Sequence, residues 1–348
     1  MNLGRSIGLL ALILALYILW QIHQVLLLLF TAVVLATALN QLVQQFQRLG
    51  IGRGWSVFLS LNILFVIFII FFWLVVPPFV EQFQELVSLL PRGLQVVQNA
   101  INWLEDRLLG TTFPNFTGIE NIIQQIQPLA TQVVERSVGL FSTSITAVLQ
   151  LVLVLVITLM LLVNPQPYRQ LFIRLFPSFY RQRVNEILSR CETALGSWTV
   201  GALMEMVFVG ALSGIGLWIL QVPLALAHAI LAGLFNFIPN IGPTLSVVLP
   251  MAIALLDAPW KAGAVLLLYI VIQQIESYWL TPTIMAKQVS LLPAITLTSQ
   301  IVFTSFFGAL GLLMALPLTV VAKTWLEEVL VKDVLDKWNY RQPQPDNQ

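Results

Sequence analysis

Apolar residues do not alternate with polar ones along this chain; they arrive in blocks. Residues 55–76, 145–163 and 195–220 each give close to the roughly 20 apolar positions that a helix needs to cross about 30 Å of hydrocarbon, with few charges inside them. Two blocks near the start, residues 7–20 and 25–39, are shorter. They fit either two short spans joined at residues 21–24 or a hairpin that does not fully cross, and hydropathy leaves both open. The C-terminal half is equally apolar but punctuated. Residues 224–238 are stopped by Pro239, Gly242 and Pro243, and residues 245–256 carry Pro250. Residues 262–280 run clean to Pro282. Residues 293–307 and 309–326 are separated by Gly308 and interrupted by Pro317. The pattern predicts an all-α polytopic membrane protein.

Proline removes a backbone donor and clashes with the preceding turn. In lipid, the groups so freed are tolerated only where protein or a water-filled cavity covers them. Interrupted segments at two comparable places therefore point to a transport path, although kinked helices with no such role are common in membranes. Gly242 precedes Leu249-Pro250, and Gly311 precedes Leu316-Pro317. The spacings differ, which makes this a weak internal repeat; it fits two broken or re-entrant helical hairpins.

Two stretches do not read as spans. Residues 81–143 mix charges with stripes of helical period: Leu94, Val97, Ile101, Leu104 and Leu108, then Ile122, Ile126, Leu129 and Val133. These are the marks of amphipathic helices. Residues 164–192 carry Arg169, Arg174, Arg181, Arg183 and Arg190. The chain thus divides into N-terminal membrane segments (1–76), an extracytoplasmic amphipathic segment (77–144), a span (145–163), a cytoplasmic basic loop (164–194), a C-terminal membrane core (195–330) and a cytoplasmic tail (331–348). Positive charge favours the cytoplasmic side. With both termini there, Arg48, Arg53, the five arginines of residues 164–192 and Lys287 all fall inside. Trp20, Trp55, Trp73, Trp260 and Trp279 lie at segment ends, as interfacial anchors do.

Composition sharpens this picture. The 348 residues are 58% hydrophobic and 9% charged, with mean hydropathy +0.88. Soluble domains are about 25% charged, and a soluble fold of this size could not hide so much apolar surface. A net charge of +1 gives no reason to expect a nucleic-acid partner. One cysteine, Cys191, excludes an internal disulfide framework and reads as packing. No small-residue cleavage site separates the first two blocks, so both are expected to stay in the membrane.

From about residue 195 to 326 the chain resembles the autoinducer-2 exporter family of bacterial permeases. Three motifs carry the resemblance: G-L-F-N-F-I-P-N-I-G-P from Gly233, E-S-Y-W-L-T-P-T-I-M-A-K-Q-V-S-L-L-P from Glu276, and F-G-A-L-G-L-L-M-A-L-P-L from Phe307. The resemblance implies about eight membrane elements and transport at a bacterial plasma membrane; the family includes proposed signal exporters and proposed sodium–proton antiporters. Many relatives place a histidine before the proline that is Pro293 here; this chain has Leu292, so a proton role for that histidine is absent.

Intramembrane charge is the sharpest local clue, because a carboxylate at mid-bilayer costs about 2.5–3.5 kcal/mol on insertion scales and usually faces the bundle or a cavity. Glu205 falls near the middle of residues 195–220. Glu276 lies beside Gln273 and Gln274 and shares a helix face with Gln273; together they suit a monovalent cation or a polar solute, or Glu276 reaches the interface. Asn236 and Asn240 flank the Pro239 break, placed either to cover freed backbone groups or to face solute. His228 lies inside an apolar run, as a packing histidine or a ligand. No H-E-x-x-H, G-x-S-x-G or G-x-x-x-x-G-K signature occurs, so no enzyme, metal site or cofactor is expected. The expected function is a secondary exporter or permease of a small polar solute (an autoinducer-2-like signal), with or without ion coupling, acting as a homo-oligomer in the lipid bilayer. The alternatives are a sodium–proton antiporter, a passive oligomeric channel and a membrane interaction protein.

Overall fold

The computed structural model describes residues 10, 13–15, 17–74, 77, 145–285 and 292–336. The two amphipathic stripes expected within residues 81–143 lie outside the described residues. Among the described residues every regular element is helical. In order these are α1 (His23–Arg48), α2 (Arg53–Leu74), α3 (Ile145–Val163), α4 (Pro165–Arg174), a 3-10 turn (Ser178–Tyr180) and α5 (Arg181–Ile219). There follow α6 (Ala225–Phe235), α7 (Ile241–Asp257), α8 (Pro259–Ile275), a π-helical turn (Glu276–Leu280), α9 (Thr281–Met285), α10 (Pro293–Trp325) and a closing π-helical stretch (Leu326–Leu335).

Among the described residues five of these helical stretches are long and apolar enough to cross a membrane; α3 and α4 meet the same measure only when counted as one stretch across a bend of 95°, and α6 and α7 are shorter apolar helices. The chain is therefore an all-α, multi-pass membrane protein. Its outward faces carry large apolar side chains, such as Phe65, Ile67 and Ile69 on α2 and Val207 and Trp218 on α5. Water would penalise such a surface, whereas lipid accepts it.

Chemistry at the helix starts follows the sequence. Pro165, Pro259 and Pro293 each occupy the first turn of α4, α8 and α10, where a missing N–H costs nothing. Three local outcomes differ from the expectations. Residues 21–24 form no reversing turn: the amide of Ile22 bonds Ile18 O and that of Leu26 bonds Ile22 O, both at 3.0 Å, so the helical ladder passes through the polar joint. The helix at Pro282 does not stop there. The π-turn shifts the ladder's register, and Pro282 falls in the first turn of α9, where its absent donor would have no partner. The basic stretch of residues 164–192 is helical nearly throughout, as α4, the 3-10 turn and the start of α5.

The contacts separate into two compact units. The first comprises Met1–Ile63, Thr146–Gly201 and Met285–Gln348; the second comprises Leu64–Ile145 and Ala202–Ile284. In the first, Leu28, Ala32 and Val154 form a buried cluster with Leu35, Ile157 and Leu310 around it, tying α1, α3 and α10 together. Thr158 Oγ1 donates to Ala32 O across 3.4 Å. Arg53 Nη2 donates to Leu162 O at the end of α3 across 3.1 Å. The start of α5 is held to the closing π-stretch by charge. The buried Glu328 carboxylate accepts from Arg183 at 2.9 Å and from Arg190 and Lys332 at 2.5 Å, and Asp333 accepts from Arg183 and Tyr180.

In the second unit, close approach replaces the hydrophobic effect, which does not drive helices together in lipid. Gly210 and Gly214 on α5 face Ala229 and Gly233 on α6. A Cβ on Gly233 would stand 2.5 Å from Met206 O, and one on Gly214 would stand 2.9 Å from Ala229 Cβ. Leu217, Val222, Ala232, Ala254, Val265 and Tyr269 complete the buried apolar cluster of α5–α8.

Candidate functional site

The glycine seam puts two polar helix positions next to one another's backbones. Glu205 precedes Met206, whose carbonyl rests against Gly233, and Asn236 lies three residues beyond Gly233, at the point where α6 ends. Glu276 begins the π-turn that follows α8, and Thr281 begins α9. These elements bury three chemically active side chains: Glu205 and Glu276 are each 8% exposed and Asn236 is 5% exposed.

Their hydrogen bonding is incomplete. Asn236 Nδ2 donates to Glu276 Oε1 at 2.8 Å, and Thr281 Oγ1 donates to Glu205 Oε1 at 3.1 Å. The two carboxyls lie within electrostatic range of each other, and Gln273, one turn before Glu276, stands beside it. Glu276 Oε2 and Asn236 Oδ1 are buried without any hydrogen-bond partner. Among the described residues no Lys, Arg or His reaches ion-pair distance of either glutamate. A buried acceptor left unpaired costs about 1–3 kcal/mol, so this cluster favours anything that brings hydrogen-bond donors or positive charge. All its unpaired atoms are oxygens, which suits a polar solute rich in hydroxyls, a proton or a hard monovalent cation. Among the described residues there is no group of three or more His, Cys, Asp or Glu able to hold a metal ion.

The helix break supplies Asn236 to this cluster. Residues 236–240 leave the helical path in tight turns: Ile238 N bonds Phe235 O at 2.9 Å, and Asn240 takes φ +67°. The chain then re-enters α7 at Ile241, so Gly242 and Pro243 already belong to that helix's first turn. Gly242 is required there, because a Cβ would stand 1.8 Å from Phe235 O.

The other expected site residues are not gathered here. Gln274 and Asn240 are exposed. His228 is buried on α6, two turns before Asn236, with Nε2 unpartnered. Pro250 lies inside α7 and Pro317 inside α10, both without ending the helix. Gly308, by contrast, breaks α10 with φ 65° and ψ −146°, and Gly311 beyond it would place a Cβ 2.1 Å from Phe303 O. Around this second break are rings: Phe303, Phe306 and Phe307 with Trp20 and His23.

Two features escaped the sequence reasoning. Thr281 carried no signal of its own. The seam did: Gly210 and Gly214 are four apart, as are Ala229 and Gly233, the spacing by which small residues line one helix face.

The profile described as AI-2E family transporter matches residues 9–331. YhhT of Escherichia coli strain K12, provisionally named a transport protein, is 28% identical over 311 residues, 88% of this chain and 84% of that protein. The AI-2 transport protein TqsA of the same strain is 25% identical over 306 residues, 85% of this chain and 84% of that protein. PerM, provisionally named a permease and also from that strain, is 23% identical over 317 residues, 89% of this chain and 86% of that protein.

Proposed function

The chain belongs to the AI-2E transporter family, and on that premise we propose that it is a secondary exporter of a small polar solute resembling autoinducer-2, using the pocket of Glu276, Asn236, Glu205 and Thr281. The observation that carries this reading is the buried Asn236–Glu276 hydrogen bond at a helix break, with one oxygen of each partner left free. A hydroxyl-rich solute supplies the missing donors and leaves again when the pocket opens to the other side. The name of TqsA, which refers to AI-2 transport, supports this solute class. The chain resides in a bacterial plasma membrane with both termini and residues 164–192 in the cytoplasm, as the arginine distribution favours.

The test is flux in proteoliposomes. Efflux of autoinducer-2 that saturates with concentration and responds to an imposed proton or sodium gradient supports a coupled exporter. Efflux that rises linearly and ignores gradients replaces it with a passive pore. A second reading, sodium–proton exchange, is favoured by one observation: two buried carboxylates lie within range of each other with no cationic side chain between them among the described residues. Sodium-driven proton movement in the absence of any organic solute would select that reading instead.

A further inference from the structure

The helix α4 turns away from the helix before it by 95°, across the single residue Asn164. The preceding helix, α3, is 19 residues long and carries no charge, which suits a membrane-crossing segment, so a helix at right angles to it runs along the membrane surface rather than through it. The sequence of α4, P-Q-P-Y-R-Q-L-F-I-R, is built for that position. Tyr168, Leu171, Phe172 and Leu175 recur at three- and four-residue steps and form one stripe. All four are exposed, Leu171 by 65% and Leu175 by 76%. Phe179, in the 3-10 turn that follows, is 86% exposed. Ile173, on the opposite side of α4, is part-buried, as is Arg169.

Charge surrounds the stripe. At 100° per residue, Arg169 lies about 60° to one side of Phe172 and Arg174 about 60° to the other side of Leu171. No acidic residue occurs in α4. Among the described residues neither Arg174 nor Arg181 forms an ion pair with a carboxylate. The apolar face is held in place by the fold. Arg169 donates to Asn185 Oδ1 and Asn185 O at 2.9 Å and to Glu192 at 3.2 Å, Arg181 donates to Phe176 O at 3.1 Å, and Phe176 stacks on Trp325.

We propose that α4 and the turn after it form an interfacial anchor that binds anionic phospholipid, with Leu171, Phe172, Leu175 and Phe179 inserted below the headgroups and Arg174 and Arg181 on their phosphates. A cationic amphipathic helix with its apolar face uncovered binds a membrane surface through those two terms together. The partner is identified by complementarity: an arginine-flanked stripe without acids, emerging directly from a span, meets a negatively charged leaflet.

The experiment uses the full chain with Cys191→Ser and one introduced thiol, Leu171→Cys or Gln170→Cys, each carrying an environment-sensitive fluorophore. The vesicles are three parts phosphatidylcholine to one part phosphatidylglycerol. The label at 171 is expected to be quenched several-fold more strongly by a lipid bearing a nitroxide near its glycerol end than the label at 170, while iodide in the buffer quenches the label at 170 more. Equal quenching of both positions by iodide overturns the proposal, because the stripe then faces water. Protection of 171 from both quenchers also overturns it, because a second copy of the chain then covers the stripe. The charged half of the proposal is read by the phosphatidylglycerol retained on the purified protein. Arg174→Gln and Arg181→Gln together are expected to lower its enrichment over phosphatidylcholine, by about fivefold per arginine. Unchanged enrichment, with the helix still inserted, refutes the choice of anionic lipid.

Discussion

The helix breaks at residues 236–240 and at Gly308 solve the same geometric problem with opposite surroundings. In both, a glycine beyond the break tucks against a carbonyl before it: Gly242 against Phe235 O, and Gly311 against Phe303 O. A side chain at either glycine would collide with backbone. There the likeness ends. The first break is lined by a buried amide bonded to a buried carboxylate, with an acceptor oxygen free on each. The second is lined by phenylalanine, tryptophan and histidine rings. A break in a membrane helix is therefore a backbone device, and the chemistry it serves is set by the side chains the neighbouring elements bring to it.

The largest effect is expected at the polar break. Glu276→Gln keeps the shape and removes the charge; solute efflux should fall by at least about tenfold, equivalent to about 1.4 kcal/mol in the barrier, with expression and oligomeric state unchanged. Phe307→Leu at the aromatic break should change efflux little in the same assay. Efflux that survives Glu276→Gln unaltered, with its pH dependence intact, would reduce the glutamate to a structural role and erase the contrast.

Next comes a matched pair. Gly242→Leu and Gly311→Leu both force a side chain onto a carbonyl, and each should lower stability in detergent by about 1–3 kcal/mol or more, as overpacking does. Their efflux per folded protein should diverge, falling for Gly242→Leu and persisting for Gly311→Leu. Replacing Leu255 by alanine, away from the break, should affect efflux less than Gly242→Leu. Equal losses of efflux at both glycines would mean that the two breaks share one role.

Gly308 offers a purer measurement of backbone strain. A Cβ there meets nothing within 4 Å, yet its φ of 65° with ψ of −146° belongs to glycine. Gly308→Ala should cost about 1–3 kcal/mol in thermal unfolding without adding a clash; no loss of stability would show that α10 can straighten. The smallest effect is expected at His228, two turns from the polar pocket. Its buried Nε2 lacks a partner, so His228→Leu should shift stability by less than about 1 kcal/mol in either direction, since a burdened polar atom is removed, and should leave efflux within about twofold of the parent.

Among the described residues, block lengths along the chain locate the apolar helices. The block at residues 145–163 coincides with α3, and the interruptions at Pro239 and Gly308 both fall at real departures from helical geometry. Pro250 and Pro317 were equally visible and mark no end of a helix, because a proline inside a packed membrane helix can be absorbed by its neighbours. The helical start of α5 leaves no mark in the apolar blocks for another reason. Hydropathy detects only the apolar part of a helix, and α5, about 58 Å long at 1.5 Å per residue, continues well past the hydrocarbon as a charged segment held by Glu328.

Glu276, Glu205 and Asn236 could each be singled out from sequence because a polar group amid apolar neighbours is costly and therefore conspicuous. Their partnership could not. Asn236 and Glu276 are forty positions apart, and their meeting depends on the rotation of each helix about its axis, on the π-turn that re-aims Glu276, and on the glycine seam that lets α5 and α6 approach. That the chain is helical, lies in a membrane and is interrupted near Pro239 and Gly308 is legible in its residues, since these features follow from local backbone chemistry and the solvent a segment prefers. Which break acquired carboxylates and which acquired rings is settled by the fold, because that choice rests on register and orientation between helices, to which hydropathy is blind.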